Sequence, residues 1–208
     1  MSKNIILVTS VIKTSTNPLS YTPIRSVFNE TERYEQTLKT ISTIREKIPD
    51  CEILLIECSE IQDYMEVELN KRVDHFLRVE ENIETITGPH KGAGLATLLL
   101  GALNKFDISK YDNIFCISGR YWLNDSFDYV EFDNEQNNFQ TRADGAIVAT
   151  NFYKITDTEL FKQALQYCTT STNSFEFDFM NIFRGKFKNI ETLGVDGFIS
   201  VDATYVSY

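Results

Sequence analysis

The sequence predicts a single α/β domain with a mostly parallel central sheet and helices on both of its faces. Three observations predict it. Short apolar runs, rich in β-branched residues, at 4–11, 52–57 and 113–118 read as buried strands. The segments between them carry apolar residues at helical spacing. The order strand, helix, strand demands a right-handed crossover, which sets the flanking strands parallel. A length of 208 residues fits one domain over 1–208.

The elements follow in order. The run 4–11 ends in small polar residues and passes into a loop holding Pro18, Tyr21, Pro23 and Arg25. Asn29 or Thr31 caps a helix with Glu32 in its first turn. Tyr34, Leu38, Ile41, Ile44 and Ile48 mark its buried face, and Pro49-Asp50 stops it. After the strand 52–57, residues 61–69 read as helix and 74–79 as a shorter strand. A turn at 88–92 opens a Leu- and Ala-rich helix over 93–106. The strand 113–118 closes on Gly119-Arg120-Tyr121-Trp122. Residues 133–142 read as a surface loop and 145–150 as a further strand. Thr156 or Asp157 caps a helix over 157–167, residues 175–183 form another, and 197–201 close as a strand.

Composition bounds the function. Hydrophobic residues make up 42% of the chain, enough for a true core. A chain of this length buries roughly 70% of its unfolded surface without a disulfide or metal staple. The formal net charge of -10 disfavours a nucleic-acid binder, which needs a basic face, but leaves room for a small anionic ligand held by local cations. Cys51, Cys58, Cys116 and Cys168 form no C-x-x-C pair and read as free thiols of a reducing, cytoplasmic compartment. Ile5 to Val8 is too short for a signal peptide, and no apolar run reaches the roughly 20 residues of a membrane span. Fifteen Phe and ten Tyr residues suit a core and equally a groove that stacks on a base or sugar.

Several catalytic motifs are missing. There is no G-x-x-x-x-G-K-[ST], no G-x-S-x-G, and only His75 and His90 to supply a triad or zinc site. Gly92-x-Gly94 is half of a dinucleotide fingerprint, with Thr97 where the third glycine belongs. Ligands of open parallel sheets bind beyond the carboxyl ends of the strands. That rule selects Thr9-Ser10, Glu57-Cys58-Ser59 and Ser118-Gly119-Arg120. Arg120 suits bidentate phosphate binding, or else pairs with Asp125 or Asp128 at the surface. Lys91 and Gly92 open a helix, where an ammonium, backbone N–H groups and the helix dipole converge on an anion, or where a helix merely starts. Glu57 is placed to accept hydrogen bonds from a uracil or a ribose, or to stand solvated at its strand end. Arg25 and Arg33 flank the first loop as ligands or as solvated charges.

Five stretches carry a resemblance: Thr9-Ser10-Val11, Tyr21-Thr22-Pro23-Ile24-Arg25-Ser26, Glu32-Arg33-Tyr34-Glu35-Gln36-Thr37-Leu38, Ile117-Ser118-Gly119-Arg120-Tyr121-Trp122 and Leu193-Gly194-Val195-Asp196-Gly197-Phe198-Ile199. With the order of elements, they resemble the nucleotide-diphospho-sugar transferase (GT-A) fold. They are also similar to short glycosyltransferase-like proteins of large DNA viruses, of the chlorella-virus type, and of bacterial surface-polysaccharide loci. The resemblance covers most of the chain; it is specific as a whole and weak at each point.

It implies a nucleotide-sugar donor, a UDP-sugar foremost, and a glycan acceptor. It also implies a nucleoside held by Thr9, Ser10 and Glu57 and a diphosphate at Lys91 and Gly92; Arg25 and Ser118, by their placement, are read as lining the same donor site. Members of the fold commonly hold Mn2+ or Mg2+ on an Asp-x-Asp at the end of the fourth strand. Here Ser118-Gly119-Arg120 stands in that place. Either Arg120 replaces the charge of the metal, or acids such as Asp125 and Asp128 hold one. Inverting members need a carboxylate base at the start of a late helix. Glu176 and Asp178 fall there; spacing of i and i+2 points them to different faces, and Glu176 is preferred. Two alternatives stand beside a transferase of hexoses or deoxyhexoses. A sugar-nucleotidyltransferase normally has a Gly-rich loop after its first strand, and residues 13–18 contain no Gly. A non-catalytic nucleotide-sugar or carbohydrate-binding domain is consistent with the missing Asp-x-Asp.

Overall fold

A computed structural model describes residues 3–208. Its elements run β1 (Asn4–Ser10), α1 (Glu30–Lys47), β2 (Cys51–Glu57), α2 (Asp63–Asn70), β3 (His75–Arg78), α3 (Ile83–Ile86), α4 (Lys91–Lys105), β4 (Asn113–Ser118), β5 (Tyr121–Leu123) and α5 (Tyr129–Phe132). They continue with β6 (Asn137–Phe139), β7 (Thr141–Arg142), β8 (Ile147–Val148), β9 (Phe152–Ile155), α6 (Thr158–Cys168), α7 (Phe175–Phe183), β10 (Phe187–Asn189), β11 (Val195–Phe198) and β12 (Tyr205–Ser207). The central sheet has the order β10-β6-β9-β4-β1-β2-β3. Four of its six pairings are parallel, and β9 runs antiparallel to both of its neighbours.

β1 lies at the centre, buried along its whole length between β2 and β4. Its side chains alternate between two cores, as strand geometry requires. Ile5 and Leu7 pack with Leu99, Ala102, Phe161 and Phe179 under α4, α6 and α7. Ile6 and Val8 pack with Ile41, Ile44, Met65 and Leu69 under α1 and α2. The expected layers, helices over both faces of a mostly parallel sheet, are present.

α1 starts at Asn29 with a reciprocal capping box to Glu32. Its buried face is more polar than the apolar spacing predicts. Arg33, Thr37 and Thr40 are buried beside Ile41 and Ile44, while Tyr34 and Leu38 are only half covered. The threonines have partners in the segment after β4. Thr40 Oγ1 donates to the carbonyl of Tyr121 at 2.6 Å, and Thr43 Oγ1 accepts from the N–H of Leu123 at 3.1 Å. Gly119 lies against Thr37, where a Cβ would come within 2.8 Å of the threonine oxygen. A helix face of hydroxyls thus fastens the turn that carries Arg120.

Two expectations need correction. The strand expected over 145–150 is present but shorter, as β8, and it pairs with β7 in a separate two-stranded hairpin closed by left-handed residues Ala143, Asp144 and Gly145. The sheet strand is β9, which lies wholly buried and contains Lys154. The ammonium of Lys154 donates to the carbonyls of Phe132 and Asn134, so this buried cation is satisfied inside. Nor are residues 133–142 only a surface loop. They include β6, whose Asn137 and Asn138 are buried because Asn137 bonds the backbone of Thr156, Asp157 and Lys186. No helix among the described residues is long and apolar enough to cross a membrane. All four cysteines are free, and burial pushes the thiols of Cys58, Cys116 and Cys168 up to about 12, which leaves them unreactive.

Candidate functional site

A cavity of about 550 Å³ opens at the carboxyl edge of the sheet. Thr9 of β1 and Ser118 at the end of β4 form its floor. The loop after β1 contributes Tyr21 and Arg25, and the start of α4 contributes Lys91 and Gly92. The β7–β8 hairpin and the residues after it bring Arg142, Thr150 and Asn151; the start of α7 brings Glu176, and the end of the chain brings Tyr208.

Its charge is opposite to that of the molecule. The chain has 30 acidic and 20 basic residues, yet the cavity is lined by Arg25, Arg33, Lys91, Arg120 and Arg142, with Glu176 the one carboxylate among the described lining residues. None of the five cations lies within ion-pair distance of a carboxylate among the described residues. Unpaired cations gathered in a concave, partly desolvated space form an anion site.

Each is held in its own way. Arg25 donates from Nε to the carbonyl of Asn17 at 3.0 Å and from Nη2 to the carbonyls of Thr87 and Gly88, which clamps the first loop to the turn before α4. Arg33 is 5% exposed and donates to the carbonyl of Val11 at 2.5 Å. Burial, followed by the charge of Arg120, pushes its guanidinium down to about 9. Arg120 makes one long hydrogen bond, 3.4 Å to the carbonyl of Phe198. Its neighbour Tyr121 packs on Gly197, where a Cβ would fall 2.1 Å from the tyrosine ring, so only glycine admits β11 here. Lys91 is open to solvent within the cavity but enclosed by protein atoms on its other sides. The charge of Arg120, then desolvation, push its ammonium down to about 7. It opens α4, whose first turn carries no acidic residue and whose N-cap, His90, makes no side-chain cap.

Glu176 sits in the first turn of α7, capped by Ser174, and accepts a hydrogen bond from Thr150 Oγ1 at 3.0 Å. The structure therefore brings Thr9, Arg25, Lys91, Gly92, Ser118, Arg120 and Glu176 to one cavity. Three expected residues lie outside it. Ser10 is buried and shares a hydrogen bond with Thr37. Glu57 is fully buried, and its carboxylate accepts from the N–H groups of Ile12, Cys58 and Ser59 and the hydroxyl of Ser59. Asp178 is buried and accepts from Asn173 at 3.0 Å. The i, i+2 separation on α7 turns it inward while Glu176 faces the cavity.

The two acids named as possible metal holders stand apart from the cavity. Asp125 is a fully exposed partner of Lys47, and Asp128 caps α5 through the N–H of Val130. Neither lines the cavity, and neither pairs with Arg120. Among the described residues no group of three or more His, Cys, Asp or Glu could hold a metal. One carboxylate among five cations does not fit a divalent ion. Sequence reasoning missed Arg142 and Tyr208 altogether. Their guanidinium-over-ring contact, 3.5 Å to the centroid, joins residues too far apart in the chain for any local pattern to reveal.

No protein-family model matches the sequence, and no curated protein matches it. Solved structures do resemble the fold. A Desulfovibrio desulfuricans G20 protein assigned to the nucleotide-diphospho-sugar transferases is similar with a TM-score of 0.54 and 10% identity, over 89% of this chain and 77% of the other. The apo form of the glycosyltransferase GlyE of Streptococcus pneumoniae TIGR4 is similar with a TM-score of 0.53 and 8% identity, over 92% of this chain and 45% of the other. At these identities the likeness shows a shared fold, that of the GT-A nucleotide-sugar transferases.

Proposed function

We propose that the protein is a glycosyltransferase that moves a sugar, a hexose or deoxyhexose, from a nucleotide-diphosphate donor to a hydroxyl of a glycan acceptor. The observation that carries this reading is the single cavity at the carboxyl edge of the sheet, with five unpaired cations and one carboxylate. The fold supports it. The donor is read as a UDP-sugar, with its diphosphate on Arg120, Lys91, Arg33 and Arg25 and its nucleoside toward Thr9 and Ser118.

In this reading the bond from the anomeric carbon to the diphosphate oxygen breaks with its electron pair leaving on the diphosphate. Arg120 meets the growing charge; a guanidinium is always cationic and holds two oxygens at once. On the other side the acceptor oxygen bonds to the anomeric carbon as its proton passes to Glu176. A carboxylate that takes the acceptor proton directly makes this reading one of an inverting displacement. No step is assigned to a metal, because the donor set does not fit one.

A thermal-shift screen over UDP-, GDP-, CMP- and dTDP-sugars, with and without Mn2+, tests the reading. A true donor at 100 times its dissociation constant stabilises by about 2.7 kcal/mol. Release of the nucleoside diphosphate from that donor is the expected second result. Binding without release would instead identify a non-catalytic domain, and pyrophosphate release from a nucleoside triphosphate and a sugar phosphate would identify a nucleotidyltransferase.

A further inference from the structure

The five cations of the cavity come from five different segments of the chain. Arg25, Arg33, Lys91 and Arg120 come from the loop after β1, from α1, from the start of α4 and from the turn after β4. Arg142 comes from β7, paired opposite Ile147 of β8. Thr150, two residues beyond β8, donates to Glu176 at 3.0 Å, so the hairpin side of the cavity is tied to the carboxylate. Arg120, Glu176, Arg33 and Arg25 all act on Lys91, whereas the groups that act on Arg142, beside its own burial, are Tyr208, Tyr121 and Glu176, with no cation among them. Four cations already exceed the two or so charges of a diphosphate diester, and a fifth remains.

That fifth cation is presented, not hidden. Its guanidinium lies 3.5 Å over the ring of Tyr208, which fixes its plane, and its nearest polar contact is Gln140 Oε1 at 3.4 and 3.5 Å, the outer limit of a hydrogen bond. No carboxylate among the described residues pairs with it. A half-buried, preoriented and unpaired guanidinium keeps most of its donors for a ligand.

We propose that Arg142 is the specificity-determining residue of an acceptor subsite for an acidic sugar: its guanidinium receives an anionic group of the acceptor, a carboxylate or a phosphate, while Glu176 faces the hydroxyl to be glycosylated. This rests on the glycosyl-transfer reading and narrows it to a substrate class. Asn151 and Asn173 line the same cavity and supply neutral hydrogen-bonding groups for the remaining hydroxyls of such a sugar.

The test uses the whole protein with the donor that the thermal-shift screen selects. Acceptors are aryl glycosides of gluco, galacto and manno configuration, each offered in neutral, uronic-acid and 6-phosphate form, and nucleoside diphosphate release above donor hydrolysis is read. We expect the acidic forms of at least one configuration to exceed the neutral form about tenfold in kcat/KM. The uronic and phosphate arms decide between the two anions. Arg142→Gln should raise KM for the acidic acceptor about tenfold while kcat and donor KM stay within about twofold, with Arg142→Lys between. A melting temperature close to wild type shows that each variant folds. Equal use of neutral and acidic forms, no stimulation by any acidic acceptor, or an unchanged KM in Arg142→Gln overturns the subsite while donor binding stands. Failure of the wild type to bind any nucleotide sugar removes the transfer reading, and the subsite with it.

Discussion

Lys91 and Arg120 face one cavity from opposite elements, and the charge of Arg120 is the largest influence on Lys91, holding its ammonium down to about 7. Glu176 offsets that influence only in part, so the charged ammonium of Lys91 stays unfavourable until an anion arrives.

A pH dependence follows from that pair. The ordinary lysine value is 10.5, so between about 7 and 10.5 the unfolded chain holds a proton that the folded one has released. Through that window stability rises with pH, and below pH 7 the folded protein carries the full cost of the charged ammonium. A bound diphosphate raises the value again, so binding above pH 7 takes up a proton and weakens as pH climbs. Calorimetry of UDP binding in buffers of different ionisation enthalpy should show this uptake at pH 8 and none at pH 6. Lys91→Met should abolish it; uptake that survives in the variant would assign the proton to another group.

Arg120→Ala should lower kcat about 10²–10³-fold, the scale of losing a charge-stabilising group in the transition state. The melting temperature should hardly move, because the side chain makes one long hydrogen bond and no ion pair. Arg120→Lys should be impaired as well, since a point charge does not reproduce the planar fork. Activity abolished by EDTA and restored by Mn2+, with Arg120→Ala near wild type, would refute the role.

Glu176→Gln should keep donor affinity and lose transfer about 10²–10⁴-fold, the usual cost of removing a general base. The carboxamide still accepts from Thr150, so the start of α7 stays in place. Transfer at wild-type rate in this variant would move the base elsewhere.

Glu57 is expected to matter to the fold and not to the ligand. Its carboxylate accepts four hydrogen bonds, three of them on Oε1. Glu57→Gln presents an amide to some of those buried donors and should cost about 2–4 kcal/mol in urea unfolding at pH 7. Unchanged stability combined with a raised donor KM would return Glu57 to the ligand site.

Much of the site was legible because its residues lie at the ends of elements with strong periodic signals. α7 spans Phe175–Phe183, the expected range, and its i, i+2 geometry separates Glu176 from Asp178. Lys91 and Arg120 were readable as a helix start and a strand end. The failures share a cause. Residues 137–139 read as loop, and nothing in the sequence marks Lys154 as buried, because each polar group is satisfied by backbone remote in sequence.

The sequence by itself determined the three interior strands, the helices between them and the edge of the sheet where the cavity opens. Hydrophobic periodicity and crossover handedness depend only on neighbouring residues and on chirality. Only the tertiary structure decided which strand-end side chains reach that cavity. Ser10 and Glu57 are partners in register across β1 and β2, yet both turn inward to hydrogen-bond the fold, while the adjacent Thr9 faces the cavity. It also decided that Arg142 meets Tyr208 beside Glu176, because the direction of a side chain and the charge around it are set by groups that the chain brings together only when it folds.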